Sequence, residues 1–375
     1  MLLAAGRIVT PARVFAPGWL LLDGDRVADG GPGAPPRAPD ADLGDATVVP
    51  GYVDAHAHGG GGAAFTDGSE DSVRTVVAAH LAHGTTTMTA SLVTDAVDSL
   101  ERSVRVLAEA TRDGLVAGVH LEGPWLSPRH AGAHDAALLR APDPADVDRL
   151  LAAGDGTVRM VTLAPELDGG PEAIRQLVGA GVVAAIGHTD ATYDVARAAL
   201  DAGAGVGTHL FNAMRGLHHR EPGPVTALLE HPDAFVELVA DGVHLHPAVL
   251  RLAAAAKPHQ ALLVTDAMAA AAADDGDYRL GPLAVTVRDG VARLRDSGAI
   301  AGSTLTMAAA VRHAVLVAGL PLTDVVRAAT TTPAAMLGLT RVGALRPGFA
   351  ADLVVLDARL RVTAVMRGGR WVRRD

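Results

Sequence analysis

Residues 48–59 read VVPGYVDAHAHG, an apolar strand that ends in two histidines separated by one residue. Side chains alternate between the two faces of a strand, so His56 and His58 lie on the same face and can chelate one divalent ion. For an isolated pair of this kind, a polar turn after a buried strand is the simpler explanation. The stretch predicts a strand with a candidate metal site at its carboxyl end.

Apolar segments recur along the middle of the chain and alternate with helical stretches rich in Ala, Leu and Arg. Near-continuous apolar strands that alternate with helices indicate a parallel sheet covered on both faces. We therefore expect an α/β fold, a (β/α)8 TIM barrel, with a doubly wound open sheet as the alternative. The eight predicted strands are residues 48–56, 85–92, 116–121, 158–163, 182–186, 206–210, 235–240 and 261–265.

The two ends of the chain differ from the middle in being rich in short strands and turns. We expect residues 1–49 and 346–375 to form one small β-sandwich domain, and residues 50–345 to form the barrel domain that carries the hydrolase site. The segments predicted after the eighth strand are a hairpin at 278–295, helices at 304–318 and 321–337, a strand at 351–357 and a terminal hairpin within 362–373.

Composition excludes several classes of function. The 32 basic and 42 acidic residues give a formal net charge of −10, which argues against nucleic acid or an anionic membrane as a partner. There is no cysteine, so disulfides, thiolate metal sites and cysteine nucleophiles are excluded. No apolar run approaches the about 18 residues of a membrane span, and the first residues lack a signal-peptide pattern. We expect a soluble, cytoplasmic protein.

Histidines and acids collect at the carboxyl ends of six of the eight predicted strands, where barrels place their active sites. Glu122 is the evident carboxylate to bridge two ions, although a strand-end acid also caps a following segment. The one lysine, Lys257, lies away from the strand ends and cannot form such a bridge. We predict one or two divalent ions, zinc in the first instance and iron or another divalent ion as the alternative, on Glu122, His188, His209, His56 and His58.

Two further strand ends suggest catalytic groups. Asp266 is a metal ligand, a helix cap or a general acid/base, and we favour the last. His244 is either a turn residue or a donor to a developing oxyanion. The segment 211–223, rich in Arg and His, is either an anion-binding loop or a solvated loop.

Several motifs together resemble one family. Residues 50–62 resemble the metal-binding opening of the amidohydrolase superfamily, and residues 343–356 resemble its usual ending. The combination of LEGPW, NAM with REPG, and VTDAM is similar to the N-acetylglucosamine-6-phosphate deacetylase family, and this resemblance covers nearly the whole chain. The motifs are HLEGPWLS (120–127), GHTDAT (187–192), THLFNAM (208–214), REPG (220–223), ADGVH (240–244), LVTDAM (263–268) and AGSTLTM (301–307).

This resemblance implies a role for each matched position. It makes Glu122, His188 and His209 the ligands of the main metal ion. It makes His56 and His58 the ligands of a second ion, which some members of the family lack. It also implies a homodimer in which an arginine reaches across the interface. The substrate contacts that it implies are His134, Asn212, Ala213, Arg220, His244 and Leu305.

The implied reaction is deacetylation of N-acetyl-D-glucosamine 6-phosphate, an amino-sugar phosphate, to D-glucosamine 6-phosphate and acetate, in amino-sugar catabolism, with Asp266 as the catalytic aspartate. Three alternatives stay open: the same chemistry on N-acetylgalactosamine 6-phosphate, another amidohydrolase such as a cyclic amidase or an aminoacylase, and an inactive sugar-phosphate-binding regulator. Arg129-His130 and Arg215-Gly216 are departures from the family's pattern that would alter specificity for the sugar.

Overall fold

The computed structural model describes residues 1–11 and 13–374, and the chain begins with seven short strands. They are β1 (Leu2–Ala5), β2 (Arg7–Val9), β3 (Val14–Phe15), β4 (Gly18–Asp23), β5 (Arg26–Pro32), β6 (Ala41–Asp42) and β7 (Thr47–Pro50). In β4, Leu20 and Leu22 are buried and their neighbours are less so, which is typical of a strand with one face on a core. The turn from β4 to β5 uses Gly24 at a φ of 57°, a conformation that favours glycine.

The centre of the molecule is a curled parallel sheet. Strands β12 to β18 pair in chain order, β8 pairs in parallel with β11, and β9 and β10 form a small hairpin. Most of these strands are buried on both faces, as expected of strands covered by helices. The strands are β8 (Tyr52–Asp54), β9 (Gly59–Gly60), β10 (Ala63–Ala64), β11 (Thr85–Met88), β12 (Ala90–Val93), β13 (Val119–Glu122), β14 (Val158–Leu163), β15 (Val183–Ile186), β16 (Val206–Gly207), β17 (Phe235–Val239) and β18 (Ala261–Val264).

Helices separate the central strands. They are α1 (Glu70–Ala82), α2 (Val97–Arg112), α3 (Pro144–Gly154), α4 (Gly170–Gly179), α5 (Tyr193–Asp201), α6 (Gly223–Glu230) and α7 (Pro247–Ala256). Helix α2 buries Leu100, Val104 and Leu107, one stripe at helical spacing. Short 3-10 turns occupy Phe65–Asp67 and Pro128–His130. Within the described residues, none of these helices combines the length and apolarity needed to span a bilayer.

The last third of the chain adds a three-stranded antiparallel sheet, three helices and the strands that return to the amino-terminal region. Strand β22 pairs with β7, so both ends of the chain share a six-stranded sheet ordered β24-β23-β22-β7-β2-β3. A second sheet, β5-β4-β1-β6, shares an apolar cluster with it. The elements are β19 (Gly276–Leu280), β20 (Leu283–Arg288), β21 (Val291–Leu294), α8 (Met307–Leu316), α9 (Leu322–Ala328), α10 (Thr331–Met336), β22 (Leu353–Leu356), β23 (Val362–Arg367) and β24 (Arg370–Arg374).

The predicted first strand, residues 48–56, was wrong in its extent. The chain forms two strands there, β7 in the six-stranded terminal sheet and β8 beside β11. Gly51 separates them, and its N–H donates to the Asp352 carbonyl at 2.9 Å. A Cβ at Gly51 would lie 2.2 Å from Thr86 Oγ1, so only glycine allows this close approach.

The predicted helix at 321–337 is also divided, into α9 and α10. Pro333 lies in the first turn of α10, where its missing N–H costs little, whereas one continuous helix would place it in the interior. Thr330, with φ −138° and ψ −82°, breaks the helical path between the two. Proline therefore sets a boundary that hydrophobic periodicity alone did not reveal.

A buried carboxylate ties the first central strand to the last. Asp54, at the end of β8, accepts hydrogen bonds from the Thr265 hydroxyl at 2.6 Å and from the Thr265 backbone N–H at 3.2 Å. Beyond this pair, Ala57 and Ala267 form a parallel bridge, and the Asp266 N–H donates to the His56 carbonyl at 2.9 Å. The carboxyl ends of β8 and β18 are thus held side by side.

Replacing Asp54 by alanine should lower the free energy of unfolding by about 3 kcal/mol, because the Thr265 donors lose their acceptor inside the protein. The thermal midpoint of the purified variant tests this. Asp23→Ala, at an exposed position, is the matched control. Equal midpoints for the two variants would contradict the role assigned to Asp54.

Candidate active site

The carboxylate of Glu122, at the end of β13, lies among imidazoles from several strands and loops. Its Oε1 is 2.9 Å from His209 Nε2 and 3.3 Å from His188 Nε2. Its Oε2 is 3.1 Å from His58 Nε2 and 3.3 Å from His134 Nε2. All five residues are buried. Each oxygen therefore faces a different group of histidines.

Nitrogen atoms converge on both sides of Glu122. The Nε2 atoms of His56 and His58 are 3.0 Å apart, and those of His188 and His209 are 3.1 Å apart. Asp266 Oδ1 lies 3.4 Å from His58 Nε2 and 3.6 Å from His56 Nε2. The donor atoms of His56, His58 and Asp266 all lie within 4.8 Å of one another. Such convergence of imidazole and carboxylate donors is typical of divalent-metal sites.

The outer nitrogens of these rings establish which atoms are available to a metal. His56 Nδ1–H donates to Glu237 Oε2 at 3.0 Å. His58 Nδ1–H donates to the Ser91 carbonyl at 3.2 Å, and His188 Nδ1–H donates to the His130 carbonyl at 2.8 Å. With Nδ1–H engaged in this way, Nε2 of each ring is the atom that can give a lone pair to a metal ion, as in metal-binding histidines, or carry a second proton toward Glu122 and Asp266. The residues present therefore fit a divalent cation.

Electrostatics keeps the acids ionised despite their burial. Burial opposes ionisation of Glu122, but the charge of His56 and hydrogen bonds from His134 and other imidazoles hold its pKa well below its usual value. Burial likewise opposes ionisation of Asp266, but the hydrogen bond from His58 and the charge of His56 lower its pKa to about 2. Burial lowers the pKa of His188 to about 4, so this ring is neutral at pH 7.

Several of these side chains follow strands on strained backbone. His188, His209 and Asp266 have φ values of 47°, 28° and 48°, in the left-handed region that side-chain-bearing residues rarely adopt. Gly187 precedes the first of them, and a Cβ there would lie 2.8 Å from Thr208 Cβ. Strain of this kind persists only where surrounding contacts enforce it, and it collects at functional sites.

These groups open into a cavity of about 390 Å³. The strand ends supply one wall, and the antiparallel sheet β19–β21 and the segment after it supply another through Leu280, Ala299 and Ile300. The residues predicted for the site that line it are His58, Glu122, His134, His188, His209, Asn212, Ala213, His244 and Asp266. The structure therefore places in one cavity predicted residues that lie at or follow the ends of six separate strands.

Two predicted substrate contacts lie elsewhere in this chain. Arg220 lines a separate cavity of about 320 Å³ and bonds His219 through its guanidinium. Leu305 is buried in the main apolar core, and its N–H donates to Ser303 Oγ. Neither residue is among those that line the 390 Å³ cavity.

Two histidines of the cavity carry partners that define their protons. His134 Nδ1 accepts from the Thr94 N–H at 3.3 Å, which places the ring proton on Nε2, facing Glu122. His244 Nδ1–H donates to Asp241 Oδ2 at 2.6 Å. This bond orients the His244 ring in the wall of the cavity.

Glu237 is a functional candidate that sequence reasoning missed. It is fully buried on β17, and its Oε2 accepts from both His56 Nδ1 at 3.0 Å and the His209 backbone N–H at 3.1 Å. One carboxylate therefore orients residues on both sides of Glu122. The sequence did contain an indication of its role, because Glu237 is the one charged residue in the apolar strand FVELV.

Comparison with known proteins identifies the class of enzyme. The profile described as the amidohydrolase family matches residues 47–372. The chain therefore belongs to the amidohydrolase family, whose members are generally dependent on divalent metal ions.

Within that family, the chain is similar to several deacetylases of phosphorylated amino sugars. The chain is 38% identical over 364 residues to N-acetylgalactosamine-6-phosphate deacetylase of Escherichia coli O157:H7, covering 94% of this chain and 95% of the relative. It is 35% identical to N-acetylglucosamine-6-phosphate deacetylase of Vibrio furnissii, covering 93% and 86%. A mutant N-acetyl-D-glucosamine-6-phosphate deacetylase from Mycobacterium smegmatis, solved with N-acetyl-D-glucosamine 6-phosphate, is 54% identical with a TM-score of 0.98, covering 100% and 99%.

Glu237→Gln should weaken divalent-metal affinity about 10- to 100-fold, since it removes the negative charge that orients the His56 imidazole. Competition with a chromophoric chelator measures this affinity. Glu109→Gln makes the same chemical change at an exposed position of α2 and should bind metal as the unmodified protein does. Equal affinities in the two variants would show that Glu237 does not support the site.

Proposed function

We propose that this protein hydrolyses the acetamide of N-acetyl-D-glucosamine 6-phosphate to D-glucosamine 6-phosphate and acetate. The observation that carries the proposal is the convergence of Glu122, His188 and His209 beside Asp266 in one cavity. The names of the curated relatives and the ligand of the Mycobacterium smegmatis structure support the same substrate class.

Glu122, His188 and His209 would hold one ion, and His56 and His58 a second, with the two oxygens of Glu122 facing the two groups. Histidine nitrogens and carboxylate oxygens are ligands that suit zinc, and iron or another divalent ion is the alternative. A divalent cation bound here supplies Lewis acidity that lowers the pKa of a water molecule and polarises the amide carbonyl.

The chain's own residues carry the proton transfers. The ionised Asp266 carboxylate accepts a proton as the water oxygen forms its bond to the carbonyl carbon. The carbonyl electron pair moves to oxygen, and His244, oriented by Asp241, would donate a hydrogen bond to that oxyanion. The oxyanion electron pair then re-forms the carbonyl as the carbon–nitrogen bond breaks, and Asp266 returns its proton to the leaving nitrogen. The acetic acid formed gives its proton to the amine, so the products are an ammonium group and acetate.

Recognition of the sugar phosphate would involve His134, Asn212, Ala213 and His244 on the cavity wall. We place Arg220 in the site of a second copy of the chain, because in its own subunit it lines a different cavity. This placement requires the homodimer that the family resemblance implies. Leu305 would support the cavity wall by packing in the apolar core, without contacting the sugar phosphate itself.

A second candidate substrate is N-acetylgalactosamine 6-phosphate. The Escherichia coli relative named for that activity is 38% identical over 94% of this chain. The two sugars differ in the configuration of one hydroxyl group. Acetate release from each sugar phosphate, and from unphosphorylated N-acetylglucosamine, distinguishes them and tests the need for phosphate.

The finer features of the fold and location belong to the same proposal. The contacts between the ends of β8 and β18 support closure of the central strands into a (β/α)8 barrel at 50–345. The apolar cluster between the terminal sheets supports a β-sandwich domain made of 1–49 and 346–375. A charged sugar phosphate does not cross a bilayer unaided, which favours a cytoplasmic enzyme.

Asp266→Asn should lower kcat about 100- to 10,000-fold, because an amide can neither accept nor return the proton. Acetate release measures turnover, and elemental analysis should find the metal still bound. Asp274→Asn, at an exposed position in the following loop, should keep normal turnover. Near-normal kcat in Asp266→Asn would remove Asp266 from the mechanism.

Arg220→Ala should raise KM for the sugar phosphate with little change in kcat, because it removes a cation that binds phosphate in the partner's site. Arg7→Ala, exposed on β2, is the control. Mixing Arg220→Ala with Asp266→Asn subunits should restore sites of normal KM, since each mixed dimer contains one site with neither change. Failure of mixing to restore low-KM activity would place Arg220 in its own subunit's site.

A further inference from the structure

Three loops at the cavity mouth meet at one carboxylate. Asp190, after β15, accepts from Arg215 Nε and Arg215 Nη2, each at 3.1 Å, in the loop after β16. It also accepts from Arg129 Nη1 at 3.0 Å and His130 Nε2 at 3.2 Å, in the loop after β13. The Asp190 side chain is 18% exposed. Its two oxygens thus receive four N–H donors from two other loops.

The backbone of Asp190 is held in place from a fourth loop. Glu166, after β14, accepts from the Asp190 backbone N–H at 2.6 Å and from the Thr189 hydroxyl at 2.5 Å. Two backbone hydrogen bonds connect Thr189 to the loop after β16. The Thr189 N–H donates to the Ala213 carbonyl at 3.1 Å, and the Arg215 N–H donates to the Thr189 carbonyl at 3.0 Å. Side-chain and backbone bonds therefore join the same segments.

The segment anchored in this way is strained. Phe211 and Ala213 have φ values of 79° and 49°, in the left-handed region, directly after His209 at 28°. Asn212 and Ala213, within this turn, line the cavity, as do Arg129 and His130. A strained turn keeps its shape only if later contacts prevent its relaxation, and Arg215 provides the first side-chain anchor after it.

We propose that Asp190 is a positioning residue for substrate binding. By holding Arg215 and the 129–130 segment, it keeps Asn212 and Ala213 in the arrangement that receives the phosphorylated sugar. This inference rests on the proposed function for the identity of the ligand. It also gives a shared purpose to Arg129-His130 and Arg215, the two departures from the family's pattern, because both bind the same carboxylate.

Asp190→Ala should raise KM for N-acetyl-D-glucosamine 6-phosphate about 10- to 100-fold, since a small misplacement of binding groups has effects of this size, while kcat changes little. Bound metal should be unchanged. Asp190→Asn, which keeps an acceptor oxygen, should give an intermediate KM. Asp168→Ala, exposed in the loop after β14, is the matched control and should leave KM unchanged.

A second measurement needs no substrate. Hydrogen exchange of the Asn212 and Arg215 amides, which donate to the His209 and Thr189 carbonyls, should be faster in Asp190→Ala and unchanged in Asp168→Ala. Failure of the unmodified protein to release acetate would overturn the proposed function alone. Unchanged exchange in Asp190→Ala would overturn the positioning role alone.

Arg215→Ala provides an independent variant should Asp190→Ala not fold. It should raise KM and speed exchange in the same direction as Asp190→Ala, and the double variant should be no worse than Asp190→Ala, because loss of the Asp190 carboxylate already removes the Arg215 ion pair. Additive effects on KM would show that Asp190 and Arg215 act separately. A fall in kcat with unchanged KM in either variant would also contradict the inference.

Discussion

The buried carboxylate of Glu122 is the interaction on which the site depends. Its two oxygens lie 2.9–3.3 Å from four imidazoles that come from distant parts of the chain. An unpaired carboxylate at this depth would strongly favour its neutral form. The imidazoles reverse that preference, and Nδ1 partners such as Glu237 direct their Nε2 atoms inward. The central sheet is what brings these groups to one point.

That arrangement costs the backbone some regular geometry. His188, His209 and Asp266 all leave their strands through left-handed conformations. A regular strand would send successive side chains to opposite faces, whereas these residues turn toward a common centre. Contacts outside the candidate metal-binding residues join the segments beside these turns, Asp54 with Thr265 at one side of the sheet and Asp190 with Arg215 at another. The positions of the candidate catalytic side chains therefore depend on the contacts that hold the loops in which they lie.

Strand-end residues were predictable because barrels concentrate function there, and the spacing of His56 and His58 needs only strand periodicity. The residues at which strands and helices begin and end were harder to predict from the sequence. Gly51 divides the first predicted strand between two sheets because backbone and Thr86 approach closely in space, which no local pattern records. Glu237 was overlooked for a related reason: its value lies in contacts with His56 and His209, 181 and 28 residues away in sequence.

The sequence by itself determined a candidate divalent-metal site, because histidines and acids placed after apolar strands favour one, and the resemblance of its motifs to a known family implied hydrolysis there. It also determined the alternation of strands and helices in the middle of the chain, although not the breaks that divide residues 48–56 and 321–337. The tertiary structure decided which donor atoms lie within reach of one another, which nitrogen of each ring faces the cavity, and that Arg220 lines a separate cavity. These are properties of distances across the fold, and distances between remote residues depend on packing rather than on local pattern.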